Sequence, residues 1–241
     1  MLLLYGEEKV RSDWKVNEAY PVIYSRVYYV DDGEVTYTDA EQQKKLKKGC
    51  LYILPTTMPY CVEHNPLNSF KCIYMHLDLA PNLVSSLVEI DLRINLFLFH
   101  LFESLREVIR SKETKIISII SDAFIEYCNE KNLLMRPSIA VKSALEYIWA
   151  HFKEDISIEV LSNISGYNPQ YFIRVFRKCV GITPHQYIMS YRLKEAAKLF
   201  KTNMNFSEIA HEVGYFDVKS FSRAFKLKYG FSPSRFKNPN P

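Results

Sequence analysis

The sequence lacks the cysteine pattern of a disulfide-bonded or metal-binding protein. It has five cysteines, which is an odd number, and none of them belongs to a CxxC pair. They are Cys50, Cys61, Cys72, Cys128 and Cys179. Because disulfides persist mainly in oxidising compartments, this pattern favours reduced thiols and a cytoplasmic location.

Long hydrophobic runs are also missing. The opening Met-Leu-Leu-Leu-Tyr is too short for the apolar part of a signal peptide, and it is followed by Glu7 and Glu8. The apolar run over Ile94–Phe102 contains His100 and is shorter than the roughly 20 residues that cross a bilayer. We therefore expect neither secretion nor insertion into a membrane.

Signals of catalysis are equally scarce. Glu63, His64, His76 and Asp78 lack the HxH and Glu spacing of metal-dependent β-barrel enzymes. No serine or cysteine stands beside a plausible base in a recognisable nucleophile motif. The sequence thus predicts no enzymatic activity, no metal and no cofactor.

The charge that is present is unevenly distributed. The net charge is +4, from 31 Lys and Arg against 27 Asp and Glu. Residues 139–241 hold 15 of the basic and 8 of the acidic residues, a net charge of +7, whereas residues 1–138 have a net charge of −3. A basic half of this kind is typical of a surface that binds nucleic-acid phosphates.

Residues 206–236 have the pattern of a helix-turn-helix motif. Ser207–Val213 predicts a short amphipathic helix, and Gly214 supplies a turn that a residue with a side chain would resist. Asp217 is a good N-cap for a second helix, which is expected to end at Gly230.

The second predicted helix has two different sides at about 100° per residue. Its basic side consists of Lys219, Arg223 and Lys226. Its apolar side consists of Phe221, Ala224 and Phe225. After this helix, Ser232 and Pro233 predict the N-cap and first residue of another one.

The same pattern occurs earlier, in residues 157–187. Seven positions match between the copies: Gly166 with Gly214, Tyr167 with Tyr215, Phe172 with Phe221, Arg174 with Arg223, Phe176 with Phe225, Gly181 with Gly230 and Pro184 with Pro233. Asn168 and Pro169 predict the start of a helix whose outward side carries Gln170, Arg174 and Arg177. The later turn is longer by one residue, Phe216. Two copies of one surface indicate one ligand that is contacted twice.

These segments resemble the DNA-binding domain of the AraC/XylS family of transcription regulators. The resemblance covers residues 139–237, in NPQYFIRVFRKCVGITPHQYI, YRLKEAAKLF, EIAHEVGYFDVKSFSRAFK and YGFSPSRFK. Ser162 departs from the family, which usually has Ala there, and Val218 is apolar where polar residues are common. The resemblance implies a sequence-specific regulator that binds double-stranded promoter DNA, with RNA polymerase as a further partner if it activates transcription.

The recognition helices of such motifs meet base edges with their N-terminal residues. The predicted base contacts are Gln170, Tyr171, Arg174, Val218, Lys219, Ser222 and Arg223. The predicted phosphate contacts are Arg177, Lys178 and Lys226. For each basic residue, the alternative is a solvated helix face.

Residues 20–80 have the composition of short strands. Asp31, Asp32 and Gly33 predict a hairpin between two of them, and Pro and Gly punctuation predicts a small β-barrel or double sheet. The family resemblance implies a cupin-like domain that senses a small molecule. Its interior could bind a sugar-like or aromatic ligand through Tyr24, Tyr28, Tyr37, Tyr52, Tyr60, Tyr74 and His76. The alternative is that these residues form an ordinary core.

The apolar period changes from Ile94 onward. Spacings of three and four predict two antiparallel helices around a turn at Ser111–Glu113. The first helix is apolar around most of its girth, so it must bury more than one face. We expect one face to cover the barrel and another to pair two subunits near Leu98, Leu101 and Leu105. The alternative is that both faces are buried within one subunit.

The predicted fold class is α+β multidomain. Residues 1–80 would form a cupin-like ligand-sensing β domain, 81–130 a dimerising helical hairpin, 131–138 a linker, and 139–241 an all-α DNA-binding domain with two helix-turn-helix motifs. A helix over Pro184–Lys201 would join the two motifs as a strut of about 27 Å, which approaches the roughly 34 Å of one DNA turn.

The sequence therefore predicts a cytoplasmic, homodimeric transcription regulator that responds to a small-molecule effector. One alternative is a cupin-like enzyme with a DNA-binding appendage, which would need a metal or a nucleophile. Another is a ligand-independent DNA-binding dimer, in which the β domain serves only for pairing. A barrel interior filled by its own side chains would favour that second alternative.

Overall fold

The computed structural model describes residues 1–200, 202–229 and 231–237. The chain divides into two compact units, Met1–Pro137 and Ser138–Pro241. The thiols of all five cysteines are free. Among the described residues, no helix is both long enough and apolar enough to cross a membrane.

The first unit begins with two antiparallel sheets. Its strands are β1 (Leu2–Lys9), β2 (Lys15–Glu18), β3 (Ser25–Asp32), β4 (Val35–Thr38), β5 (Gln43–Leu46), β6 (Cys50–Ile53), β7 (Tyr60–His64), β8 (Lys71–Leu77) and β9 (Val88–Asp91). One sheet has the order β1-β8-β3-β6-β9, and the other has the order β2-β7-β4-β5. Tyr28 and Tyr52 of the first sheet share a buried core with Tyr37 and Val62 of the second. The prediction of a cupin-like double-sheet barrel is confirmed.

Strand β3 is buried on both of its faces. Tyr28 and Val30 point into the barrel core, whereas Val27 and Tyr29 belong to a second core that includes the helices after the barrel. Successive residues of a strand point to opposite sides of the sheet. A strand that is apolar throughout can therefore contribute side chains to two cores, one on each side. The sheet containing β3 is therefore the layer between the barrel interior and the helices.

The predicted hairpin at Asp31, Asp32 and Gly33 is wrong. Strand β3 pairs with β6 and β8, so both of its edges are already occupied, and β4 pairs with β5 and β7 in the other sheet. Gly33 has φ +92°, and a Cβ atom there would lie 2.3 Å from the carbonyl oxygen of Ser69. The turn residues thus carry the chain from one sheet to the other.

Two helices follow the barrel, α1 (Leu96–Ser111) and α2 (Thr114–Glu130). Asn95 caps α1 by accepting a hydrogen bond from the backbone N–H of Leu98 at 3.1 Å. Phe97 near the start of α1 stacks on Tyr127 near the end of α2, with ring centroids 5.6 Å apart. The helices are therefore antiparallel, as predicted.

The residues that were expected at a subunit contact lie elsewhere. Leu98 and Leu105 are completely buried in the core beneath the sheet, together with Phe102, and Leu101 is partly buried against that core. This pairing prediction is therefore wrong for Leu98 and Leu105, because their helix face covers the subunit's own sheet. The exposed apolar residues around the hairpin are Ile94, Leu96, Phe97, Ile116 and Ile119.

Arginine ion pairs attach α1 to the strands. The Arg106 guanidinium pairs with Glu7 of β1 at 2.7 Å and with Asp31 of β3 at 2.6 Å. Arg110 pairs with the same Glu7 at 2.9 Å. Hydrogen bonds from Arg110 and Arg106 lower the pKa of Glu7. Two charged contacts to different strands fix the position of α1 along the sheet.

The predicted limits of the β domain and the linker need correction. Strand β9 pairs with β6 and extends the sheet beyond residue 80. Leu83 and Met135 exchange backbone hydrogen bonds of 2.9 and 2.7 Å, and Leu134 is buried in the core. The segment just before Pro137 therefore belongs to the first unit rather than to a free linker.

The second unit is helical in its described residues. Its helices are α3 (Ile139–His151), α4 (Ile158–Ser165), α5 (Pro169–Val180), α6 (Pro184–Leu199), α7 (Phe206–Glu212), α8 (Val218–Tyr229) and α9 (Pro233–Lys237). The two predicted helix-turn-helix motifs are confirmed as α4–α5 and α7–α8. Helix α6 has 16 residues and a length of about 24 Å. Lys201 and Gly230, which were expected to end helices, lie outside the described residues.

The two turns of these motifs place different demands on their glycines. Gly166 has φ +70° and Gly214 has φ +86°, a region that residues with a Cβ atom rarely adopt. A Cβ atom at Gly166 would meet nothing within 4 Å. One at Gly214 would lie 2.7 Å from the carbonyl oxygen of Lys153 and 3.0 Å from Cζ of Arg192.

We expect Gly214→Ala to destabilise the chain more than Gly166→Ala. The change at Gly166 should cost about 1–2 kcal/mol through backbone strain alone. The change at Gly214 should cost more, because the backbone carbonyl of Lys153 must also move. Thermal unfolding of the 241-residue chain measures both variants, and an equal loss at the two positions would contradict this account.

Candidate nucleic-acid interface

The first motif is built from two capped helices. Gly166 is the C-cap of α4, and Asn168 then caps α5 by accepting a hydrogen bond from the backbone N–H of Tyr171 at 2.9 Å. Pro169 occupies the first helical position, where its missing N–H costs nothing. Ser162 is 1% exposed and donates to the carbonyl of Glu159 at 2.9 Å, so its hydroxyl is satisfied inside the motif.

Helix α5 presents its predicted contact residues to solvent. Gln170, Arg174, Arg177 and Lys178 are exposed and line one shallow groove. Tyr171 is partly exposed, and the guanidinium of Arg174 lies 5.0 Å from the centre of its ring. This cation–π contact orients Arg174 near the start of the helix.

The second motif starts its outer helix with a different cap. Asp217 accepts hydrogen bonds from the backbone N–H and the hydroxyl of Ser220, both at 2.8 Å. The hydrogen bond from the Ser220 backbone lowers the pKa of Asp217, so the cap is a carboxylate near neutral pH. A negative charge at this position also complements the positive end of the helix dipole.

Helix α8 presents a second basic side. Lys219, Arg223 and Lys226 are exposed, Ser222 is partly buried, and Val218 is 38% exposed. On the opposite side, Phe221 and Phe225 are fully buried with Ile209 and Val213 of the preceding helix segment. The structure thus places the predicted contact residues of both copies on outward surfaces, and their individual contacts with DNA stay predictions.

An arginine that sequence reasoning missed supports the second motif. Arg192 of α6 donates to the backbone carbonyls of Phe152 and Glu154, each at 2.7 Å. These carbonyls follow the end of α3, where backbone acceptors lack helical partners. Gly214 lies beside the same guanidinium, so Arg192 links α3, α6 and the turn.

The predicted ligand-binding residues of the barrel lie in two different places. Tyr28, Tyr37 and Tyr52 are at most 3% exposed and pack in the core between the sheets. The hydroxyl of Tyr37 donates to Asp39, and that of Tyr52 accepts from the backbone N–H of Lys47, both at 2.8 Å. For these three residues the ordinary-core alternative is correct, because neighbouring side chains surround their rings.

The remaining predicted residues lie around Arg26, a partly buried cation, and Tyr74 joins them through His76 with ring centroids 5.6 Å apart. Arg26 donates to the hydroxyls of Tyr60 at 2.8 Å and Tyr24 at 2.9 Å, and it pairs with Glu18 at 2.6 Å. His76, its register partner on β8, stacks on Tyr24. The Arg26 cluster comprises Glu18, Tyr24, Arg26, Tyr60, Tyr74 and His76. Sequence reasoning missed Arg26 and Glu18. Tyr24, Arg26 and Tyr28 are two residues apart, so their side chains point to the same side of the strand.

Burial controls the charge state of this cluster. Burial, assisted by the Arg26 charge, lowers the pKa of His76 to about 3. Burial also raises the pKa of Tyr24 and of Tyr60. At neutral pH the cluster therefore offers a guanidinium, neutral phenols and a neutral imidazole, a set that can donate several hydrogen bonds to a polar ligand.

Comparison with known proteins agrees with this architecture. A helix-turn-helix domain model matches residues 161–238. The probable transcriptional regulator LumQ of Photobacterium leiognathi is 36% identical over 91 residues, which are 37% of this chain and 37% of LumQ. The chain therefore spans well under two thirds of LumQ. The regulatory protein SoxS of Salmonella typhimurium is 31% identical over 99 residues, 41% of this chain and 92% of SoxS.

The whole fold also has a solved counterpart. ToxT from Vibrio cholerae superimposes with a TM-score of 0.68 over 97% of both chains, at 12% sequence identity. This likeness concerns the fold, in which a β domain accompanies the helix-turn-helix unit. Two capped motifs with matching outward basic sides, and a sequence that covers nearly all of SoxS, show that the chain belongs to the AraC/XylS family of transcription regulators.

Proposed function

We propose that this chain is a cytoplasmic, homodimeric transcription regulator that binds promoter DNA through α5 and α8 and responds to a small polar effector. The observation that carries the proposal is the pair of exposed basic helix sides, each at the capped start of a recognition helix. RNA polymerase is a further partner if the protein activates transcription. The regulators LumQ and SoxS support this role over that of an enzyme.

The position of each side chain along its helix indicates whether we assign it to a base or to a phosphate. Gln170, Arg174, Lys219 and Arg223 lie in the first two turns, where side chains of a docked recognition helix reach base edges. Other proposed base contacts at these helix starts are Tyr171, Val218 and Ser222. Arg177, Lys178 and Lys226 lie a turn later and are assigned to phosphates.

We expect Arg223→Ala and Lys226→Ala to weaken DNA binding in different ways. Loss of a base contact at Arg223 should cost about 1–3 kcal/mol on the specific duplex and relax preference at one base pair. Loss of a phosphate contact at Lys226 should weaken specific and random duplexes alike and reduce the salt slope by about one. Fluorescence anisotropy at several salt concentrations measures both effects. Equal losses on both duplexes for Arg223→Ala would refute its assignment.

The Arg26 cluster is the proposed effector site. It combines a permanent cation with phenolic hydroxyls on the interior faces of both sheets, and Glu18 reaches it from the short edge strand β2. An incoming polar or anionic group can replace the Glu18 carboxylate without leaving Arg26 unpaired, which would be costly inside the barrel. The same fold in ToxT has been crystallised with an unsaturated fatty acid, so a small molecule can occupy a member of this architecture.

A matched pair of tyrosines tests this site. Tyr60 and Tyr37 stack on each other with centroids 5.8 Å apart, but only the Tyr60 hydroxyl accepts from Arg26. For an effector found by a thermal-shift screen of sugars and small carboxylic acids, we expect Tyr60→Phe to diminish the shift at least severalfold. Tyr37→Phe should leave the shift unchanged. The same response in both variants would place the effector elsewhere.

A second candidate function is a DNA-binding dimer without an effector. It is favoured by the filled middle of the barrel, where Tyr28, Tyr37 and Tyr52 occupy the space between the sheets. In that case no compound of the screen would shift the unfolding temperature, and DNA binding would not respond to any of them.

The proposed subunit contact is the outer surface of the helical hairpin. Phe97, Ile116 and Ile119 are 55%, 40% and 66% exposed on α1 and α2, whereas the sheet-facing sides of these helices are buried. Phe97 lies at one end of the hairpin beside Tyr127, and Ile116 and Ile119 lie near the start of α2 at the other end. Exposed apolar side chains along the outer side of a helix pair are typical of an interface between subunits.

We expect Ile119→Glu to convert a dimer into monomers without unfolding the chain, because Ile119 is already exposed. Leu67→Glu is the matched control, since Leu67 is 97% exposed in the loop between β7 and β8. Sedimentation at tens of micromolar protein measures both variants. A monomeric wild type would refute the dimer, and a dimeric Ile119→Glu variant would refute this surface.

A further inference from the structure

We propose that Phe216 is a specificity-determining residue that contacts the C5 methyl group of a thymine in the major groove beside α8. The inference rests on the proposed binding of DNA through this helix. Phe216 is 93% exposed, although phenylalanine side chains are usually buried. It directly precedes Asp217, the cap that starts the recognition helix.

A local packing role does not account for this residue. An apolar side chain just before an N-cap commonly packs on the fourth helical residue, which here is Phe221. In this motif Tyr215 takes that place, because it is 5% exposed and lies edge-to-face with Phe221 at 5.4 Å between ring centroids. Phe216 is consequently left facing outward by the fold of the turn.

The position of Phe216 is fixed by its neighbours. Tyr215 is anchored in the core, and its backbone N–H donates to the carbonyl of Ala210 at 2.8 Å. Asp217 is held by its two hydrogen bonds to Ser220. Because its neighbours are anchored on both sides, Phe216 has mainly its two side-chain torsions to restrict on contact with a ligand.

The chemical groups next to the start of a docked recognition helix indicate what Phe216 would contact. At the start of a recognition helix the adjacent groups are base edges, and the thymine methyl is the apolar group that these edges present in the major groove. Val218, 38% exposed, extends the apolar surface by one more residue. The first motif has Asn168 and Pro169 directly after Tyr167, with no counterpart of Phe216. The methyl contact is therefore confined to the half-site of α8.

The test uses the duplex that the 241-residue chain enriches from a random pool. Each thymine of this duplex is replaced singly by deoxyuridine, which removes only the methyl group. We expect one replacement in the half-site of α8 to weaken wild-type binding about fourfold, the effect of burying one methyl-sized group. Arg223→Ala and Arg174→Ala identify which half-site belongs to which helix.

The variants separate this inference from the proposed function. Phe216→Ala should bind the thymine and deoxyuridine duplexes equally, and Phe216→Leu should keep part of the difference. Leu227→Ala is the control, because Leu227 is 87% exposed near the far end of the same helix and should leave the methyl effect intact. Failure of wild type to enrich any duplex would refute the proposed function itself.

Specific binding that ignores every methyl group, or a methyl effect that persists in Phe216→Ala, would overturn the Phe216 assignment alone. A Phe216→Ala variant that binds DNA normally but fails in reconstituted transcription would also overturn it, and would assign the ring to a protein partner.

Discussion

Both recognition helices depend on one local arrangement, a left-handed glycine followed by a side-chain cap. Gly166 and Gly214 turn the chain, and Asn168 and Asp217 then satisfy backbone N–H groups that a helix start leaves without partners. These contacts determine where each outer helix begins. Because the proposed base contacts are counted from that point, the cap would set which side chains can reach the DNA.

This arrangement was predictable from sequence because it is local. Glycine, a short polar cap and an apolar pair four residues apart appear together within about ten residues, twice. The faces of α1 were less predictable. The spacing of Leu98 and Leu105 shows that one helix side is apolar, but it does not say whether a sheet or a second subunit covers that side.

Strand pairing could not be predicted either, because the strands that pair with β3 lie far from it in the sequence. Asp31, Asp32 and Gly33 have the composition of a tight hairpin, yet β6 and β8 occupy both edges of β3. The Arg26 cluster was hidden for the same reason, because its members come from β2, β7, β8 and the region of β3. No short window of sequence contains a site assembled from four separate segments.

The extra residue in the second turn, Phe216, makes the two motifs of the DNA-binding unit different from each other. The two motifs share a helical framework, but one turn proceeds directly from Tyr167 to its cap, and the other inserts Phe216 before its cap. The two outer helices therefore do not present identical surfaces to a duplex. A duplex bound by both would be polar rather than palindromic at this scale. Reversing it would bring the wrong bases to each helix, so a single subunit could distinguish upstream from downstream.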